Sequence, residues 1–211
     1  MKIESPKLPS DLPLKNFQDI LYEEDPELEV CIIQDAVFEH ETLDRARLSR
    51  VIIRNCSFEQ TVFERMDLID VRFENCNLSN VNMRNSSIHR VQFVNCKLLG
   101  VDFSESSFGN VLFDNCVANL ALFSNAKLEK VQFQQTYLKG ADFYDCKLKK
   151  IAFDTCNIDE VSFDETSLKG IDISTSTFNS LIVSMEDLKG CTVSTDQAIR
   201  FATLLGLIVK E

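Results

Sequence analysis

The chain has 211 residues, with 33 acidic and 22 basic side chains, a net charge of −11 and 45% hydrophobic content. This is globular composition, and the acidity disfavours nucleic-acid binding driven by overall charge. No apolar run approaches the ~18 residues of a membrane helix, and the opening MKIESPKLPSDLP lacks the apolar core of a secretory signal, so a cytoplasmic protein without membrane contact is expected.

Residues 1–13 contain Pro6, Pro9 and Pro13 and read as a flexible arm. A short helix is expected from Leu14 to about Glu24, with Leu14, Phe17, Ile20 and Leu21 on one face. It would cover the first apolar layer of the repeats that begin near residue 31, so residues 1–30 form an N-terminal arm and cap.

From Ile33 to Val193 an apolar residue recurs every five positions, at all 33 positions and with no insertion. Two residues before each centre, 27 of the 33 positions are Ala, Cys, Ser, Thr or Val, and all eight cysteines fall there. A step of five turns an α-helix by ~500° and would scatter the apolar residues over every face. In a strand it sends successive apolar residues to opposite faces. A chain that turns a corner every five residues keeps them all inside. Of the 17 centres at Ile33, Leu43, Ile53 and onward by tens, 10 are Phe, against 4 of the 16 between them. Alternate sides are therefore Phe-rich, as in a four-sided coil of 20 residues with columns such as Phe73, Phe93, Phe113, Phe133 and Phe153. Residues 31–193 are thus an all-β solenoid. Gly100, Gly140, Gly170 and Gly190 end their repeats, where turns are expected. Glu41 and Glu186 occupy small-residue positions, and because an inward carboxylate is costly, local bulges are expected there.

After Val193, Ser194 and Gln197 have the spacing of a capping box, and Ala198, Phe201, Ala202 and Leu205 share a helical face. Gly206 suits a helix stop, and Leu207-Ile208-Val209 reads as a short strand. Residues 194–211 form a terminal module that either plugs its own coil or meets a second subunit.

Catalytic chemistry finds little material. His40 and His89 lie at outward positions on distant coils, and no Gly-rich phosphate loop is present. The nearest cysteines, Cys146 and Cys156, are ten residues apart with no Cys-x-x-Cys, so buried free thiols at tight corners are expected. No catalytic residue, metal or cofactor is expected, and the protein reads as a binding protein, not an enzyme. The charge is banded: residues 127–150 carry six lysines against Glu129, Asp142 and Asp145. Residues 151–187 carry Asp154, Asp159, Glu160, Asp164, Glu165, Asp172, Glu186 and Asp187 against Lys169 alone.

Ala141-Asp142-Phe143-Tyr144-Asp145 and Val101-Asp102-Phe103-Ser104-Glu105 resemble the motif of the pentapeptide-repeat family. The resemblance implies a right-handed quadrilateral β-helix. The tail DQAIRFATLLGLIV resembles that of the quinolone-resistance Qnr and MfpA-type proteins, which implies a tail-to-tail homodimer. Ala198, Phe201, Leu204, Leu205, Leu207 and Ile208 are the candidate interface residues. That family binds DNA gyrase and topoisomerase IV by imitating DNA, which would give the eight acids of residues 151–187 the role of partner contacts. The unbroken period leaves no room for projecting loops, as in MfpA and the chromosomal Qnr-like proteins of Gram-positive bacteria. A generic interaction scaffold with an unrelated partner is the alternative.

Overall fold

The computed structural model describes residues 2–22, 25–204 and 206–210. From Val30 to Gly170 every fifth residue has a positive φ, between 47° and 77°. These left-handed residues are the corners that the period of five demanded. Many are Asn, as at Asn55, Asn75, Asn95 and Asn115, a residue that tolerates this region. Leu120 adopts it at φ 58° against a backbone cost of ~1–2 kcal/mol.

Four sides make one coil, and about eight coils make the rod. Side 1 carries Ile33 and every twentieth residue after it, side 2 Phe38, side 3 Leu43 and side 4 Leu28. Seven parallel strands form one sheet in chain order: β1 Glu27–Gln34, β2 Arg47–Arg54, β3 Asp67–Glu74, β4 Ser87–Val94, β5 Ser107–Asp114, β6 Lys127–Gln134 and β7 Lys147–Asp154. Each strand bends at a left-handed residue such as Arg90 and so spans sides 4 and 1. The register is constant at 20, as in Phe73↔Phe93 and Phe113↔Phe133. Sides 2 and 3 join by single bridges in the same register, Val117↔Tyr137 and Leu122↔Asp142 among them. Two short strands, β8 Val161–Ser162 and β9 Leu181–Ile182, pair beyond them.

The interior is filled by the expected ladder. Phe93, Phe113 and Phe133 stack at centroid distances of 5.0 and 4.8 Å, and Phe123 and Phe143 at 4.6 Å on the opposite side. The two columns meet edge to face, as at Phe133–Phe143, 5.9 Å. Small residues on sides 2 and 4 hold the coils together with their heteroatoms. Thr136 Oγ1 donates to the Phe113 carbonyl at 3.2 Å and accepts from the Cys116 amide at 3.4 Å. Thr166 does the same with Phe143, 2.6 Å, and Cys146, 2.8 Å. Cys146 Sγ donates to the Phe123 carbonyl at 3.0 Å. Polar atoms at these corners are thereby satisfied inside an apolar core. All eight cysteines are free thiols, seven buried and Cys191 half-buried. Burial pushes the Cys146 thiol up to about 12 and the Cys156 thiol to about 11, which keeps them protonated and unreactive at neutral pH.

The N-terminal cap is a 3-10 helix, Phe17–Tyr22, that buries Phe17 and Ile20. Phe17 packs edge-on to Phe38 and Phe58, each at 4.9 Å. Leu14 and Leu21, expected on the same buried face, are exposed. The reason for Leu14 is that its segment runs extended along β1, with Pro13 and Lys15 hydrogen-bonded to Ile32 at 2.8 and 2.9 Å. The arm before it lies along the rod: the Lys7 amide donates to Asp70 Oδ1 at 2.9 Å and the Glu4 amide to Asn110 Oδ1 at 3.1 Å.

Glu41 and Glu186 are both exposed, and Glu186 sits in a turn, Met185–Gly190, that departs from the regular coil. Helix α1, Thr195–Leu204, comes next. Its capping box is reciprocal: the Ser194 amide donates to Gln197 Oε1 at 2.9 Å and the Gln197 amide to Ser194 Oγ at 3.3 Å. Gln197 Nε2 also donates to the Ile173 and Ser176 carbonyls, both at 2.8 Å, and Phe201 meets Phe178 at 5.3 Å. The helix therefore plugs the last coil. Gly206, at φ 71°, ends it, with the Leu207 amide on the Ala202 carbonyl at 3.1 Å. Leu207-Ile208-Val209 is not a strand, because no neighbouring backbone among the described residues offers it a ladder.

Candidate partner-binding surface

With the interior closed, chemistry is confined to the outside, and a side chain's position on the rod is set by its number modulo 20. The eight acids of residues 151–187 do not form one surface. Asp154 and Asp172 are exposed on side 1, Asp159 and Glu160 belong to side 2, and Asp164 and Glu165 are exposed on side 3. Glu186 and Asp187 belong to the final turn, where Glu186 pairs with Lys189 and Asp187 accepts from Ser184 Oγ at 2.5 Å.

Several of these carboxylates are already occupied. Asp159, placed among the contact residues by its sequence position, is only 7% exposed. Its Oδ1 accepts from the Asn179 amide at 2.8 Å and the Ser180 amide at 3.2 Å, and Lys139 Nζ approaches its Oδ2 at 3.2 Å. The Asn179 amide, with Ser180 and Lys139 added, holds its carboxyl down at about 2, against the opposing effect of desolvation. Asp159 is thus a structural clasp for the last coil. Glu160 shares the same lysine at 3.1 Å. The Asp172 carboxyl is held below its ordinary value by Ser174, whose amide donates to it at 2.8 Å.

Side 3 differs. Asp145 lies directly below Glu165 and Tyr144 below Asp164, and the Asp145 amide donates to the Asp164 carbonyl at 3.2 Å. Asp142, half-buried, sits on the same side and accepts from the Tyr144 amide at 3.0 Å and Ser124 Oγ at 2.6 Å. Its turn bond explains why the motif favours Asp or Asn before the central apolar residue. Further down the side come Glu105 and Asp102, with Arg84 paired to both. Between residues 101–105 and 161–165 the side holds six acids and no base. Grouping charges in chain order hid Asp142 and Asp145 among six lysines, whereas a wrap of 20 residues puts them beneath Asp164 and Glu165.

At the tail, Ala198, Leu207 and Ile208 are exposed, Ile208 to 89%, while Phe201 is half-buried against the core. Leu204 ends α1, and Leu205 lies outside the described residues. Among the described residues no helix is long and apolar enough to cross a membrane, and no cluster of three or more metal-ligating side chains occurs.

A parallel β-solenoid with five-residue sides, left-handed corners and an inward Phe/Leu ladder defines a class of protein. Residues 86–163 match the pentapeptide repeat region family and residues 42–80 the pentapeptide repeats (8 copies) family, together more than half of the chain. The chain is a pentapeptide-repeat protein. Among solved structures it is similar to QnrB1, a plasmid-mediated fluoroquinolone resistance protein, at 18% identity over 85% of this chain and 100% of that one, with a TM-score of 0.44. It is also similar to HetL of the cyanobacterium Nostoc, a protein involved in heterocyst differentiation regulation, at 13% identity over 84% and 94% of the two chains, TM-score 0.45. A thylakoid-lumen pentapeptide-repeat protein of Arabidopsis thaliana matches at 20% identity over 44% of this chain and 67% of that one, TM-score 0.42. No curated protein matches the chain.

Proposed function

We propose that this protein binds the DNA-binding surface of a type II topoisomerase, DNA gyrase or topoisomerase IV, by imitating DNA, and so changes the enzyme's response to fluoroquinolones. The observation that carries the reading is the base-free acidic stretch of side 3 between residues 101–105 and 161–165. Asp142, Asp145, Asp164 and Glu165 fall within two coils, about 10 Å of rod, one charge per ~2.4 Å, where B-DNA carries one per ~1.7 Å. Glu160, at the corner with side 2, flanks that side. The Qnr-like tail supports the same reading: exposed Ala198, Leu207 and Ile208 would join two copies end to end and set two acidic sides in series. The protein acts in the cytoplasm by binding, without a cofactor and without touching DNA.

The test is supercoiling by purified bacterial gyrase with ciprofloxacin present, titrating the wild type and the Asp164→Lys/Glu165→Lys variant. A dose-dependent effect, whether rescue or inhibition, that the variant loses is the expected result. An unchanged supercoiling profile at every dose would leave the general interaction scaffold as the function.

A further inference from the structure

A second charged surface lies on side 4, over β6 and β7. Along most of the sheet, charges at neighbouring ladder positions alternate in sign. At the corner between sides 4 and 1 the column runs Arg50, Asp70, Arg90, with Asp70 and Arg90 joined at 2.6 and 2.8 Å. At the strand start it runs Glu27, Arg47, Asp67, with Arg47 3.7 Å from one carboxylate and 3.6 Å from the other. Both columns then lose this balance. The corner column continues through Asn110 to Lys130 and Lys150, and the strand-start column through Ser87 and Ser107 to Lys127 and Lys147. Like charges facing each other across strands are destabilising. Glu129, paired with Lys149 at 2.8 Å, is their local offset. Lys127, Lys147 and Lys150 are exposed.

The corner itself is a track that already holds peptide. The arm's Lys7 and Glu4 amides bond to Asp70 and Asn110, two coils apart, and Gln92 of the coil between reaches Ser5 Oγ at 3.5 Å. Three residues at ~3.3 Å span the same ~10 Å as two coils at ~4.8 Å, so the arm is extended and parallel to the rod axis. Under it Asp70 and Asn110 are buried. Burial pushes the Asp70 carboxyl up, but Arg90 and the Lys7 amide outweigh this and hold it below its ordinary value. Just past Asn110, the acceptor for the Glu4 amide, the lysines begin.

We infer that the track continues over β6 and β7 as a docking site for an extended acidic peptide of a partner protein, whose carboxylates supply the negative charge missing from the Lys127/Lys147 and Lys130/Lys150 pairs. The geometry favours a peptide because the arm shows one lying there. The inference is independent of the acidic side 3 and of gyrase.

The test is fluorescence anisotropy of a labelled alternating Glu-Ser peptide with the full chain and with Lys130→Glu. That substitution restores sign alternation beside Lys150, so the variant folds at least as stably as the wild type, which a thermal melt checks. Binding that rising salt weakens and that Lys130→Glu reduces about tenfold or more is expected. Failure of the wild type to bind, or equal binding by the variant, overturns the inference. Tighter binding of an oligothymidylate of matched charge also overturns it, in favour of a nucleic-acid track.

Discussion

The coils up to Gly170 and the coil from Ile171 to Val193 share one apolar spacing, yet they differ in structure. In the first region every fifth residue is left-handed and every centre but Leu148 is buried. In the second, Thr175, Ser180 and Met185 are not left-handed, and Val183, Leu188 and Val193 are only partly buried. The Glu160 amide bonds to Ser180, one residue further than the regular ladder puts it. A regular coil is held from both sides by stacked rings, ladder bonds and small-residue heteroatoms. The last coil has one such neighbour, and Gln197 and Phe201 stand in for the other. The repeat is thus a cooperative property of the stack, and spacing alone does not impose it.

The largest expected difference between the two regions is in core truncation. Phe133→Ala removes a ring stacked at 4.8 Å on Phe113 and 5.2 Å on Phe153, at a cost of about 3–5 kcal/mol. Val183→Ala, at a half-buried centre, should cost about 1 kcal/mol. Denaturant melts of both check this, and equal losses would erase the distinction. Gln197→Ala comes next, at about 1–3 kcal/mol, because it opens the capping box and removes the side-chain donor shared by the Ile173 and Ser176 carbonyls. Hydrogen exchange should quicken in residues 171–193 and stay slow in β3–β6. The smallest effect is acid dependence. The Asp159 carboxyl sits at about 2 in the folded chain, below the ordinary 3.8, so its stabilisation is full above pH ~4 and lost as pH falls through ~2. Asp159→Asn should flatten that part of the melting-temperature profile, most visibly for the last coil.

The period, the four sides, the Phe columns and the capping box were legible because each is a local or strictly periodic pattern. The docking of the arm was not: Lys7 and Glu4 bond through backbone amides, and no side-chain pattern announces an amide's partner 63 or 106 residues away. Burial of Asp159 was hidden because it shares its repeat position with Asp154 and Asp164, both exposed. What singles it out is the displaced 179–180 backbone of the next coil. In the sequence, the preference for Cys, Ser and Thr over Val at Cys116, Thr136 and Thr166 is indistinguishable from a preference for small size. These corners also need a donor for the carbonyl of the coil below.

A parallel stack with a rung every ~4.8 Å is the geometry of a fibril written within a single polypeptide. Such a stack would go on adding rungs from any open edge. Pro13–Lys15, laid against Ile32, occupies the edge of β1. Removing residues 1–22 would uncover that edge together with the rings of Phe38 and Phe58, and turn a rod of fixed length into a seed for its own elongation.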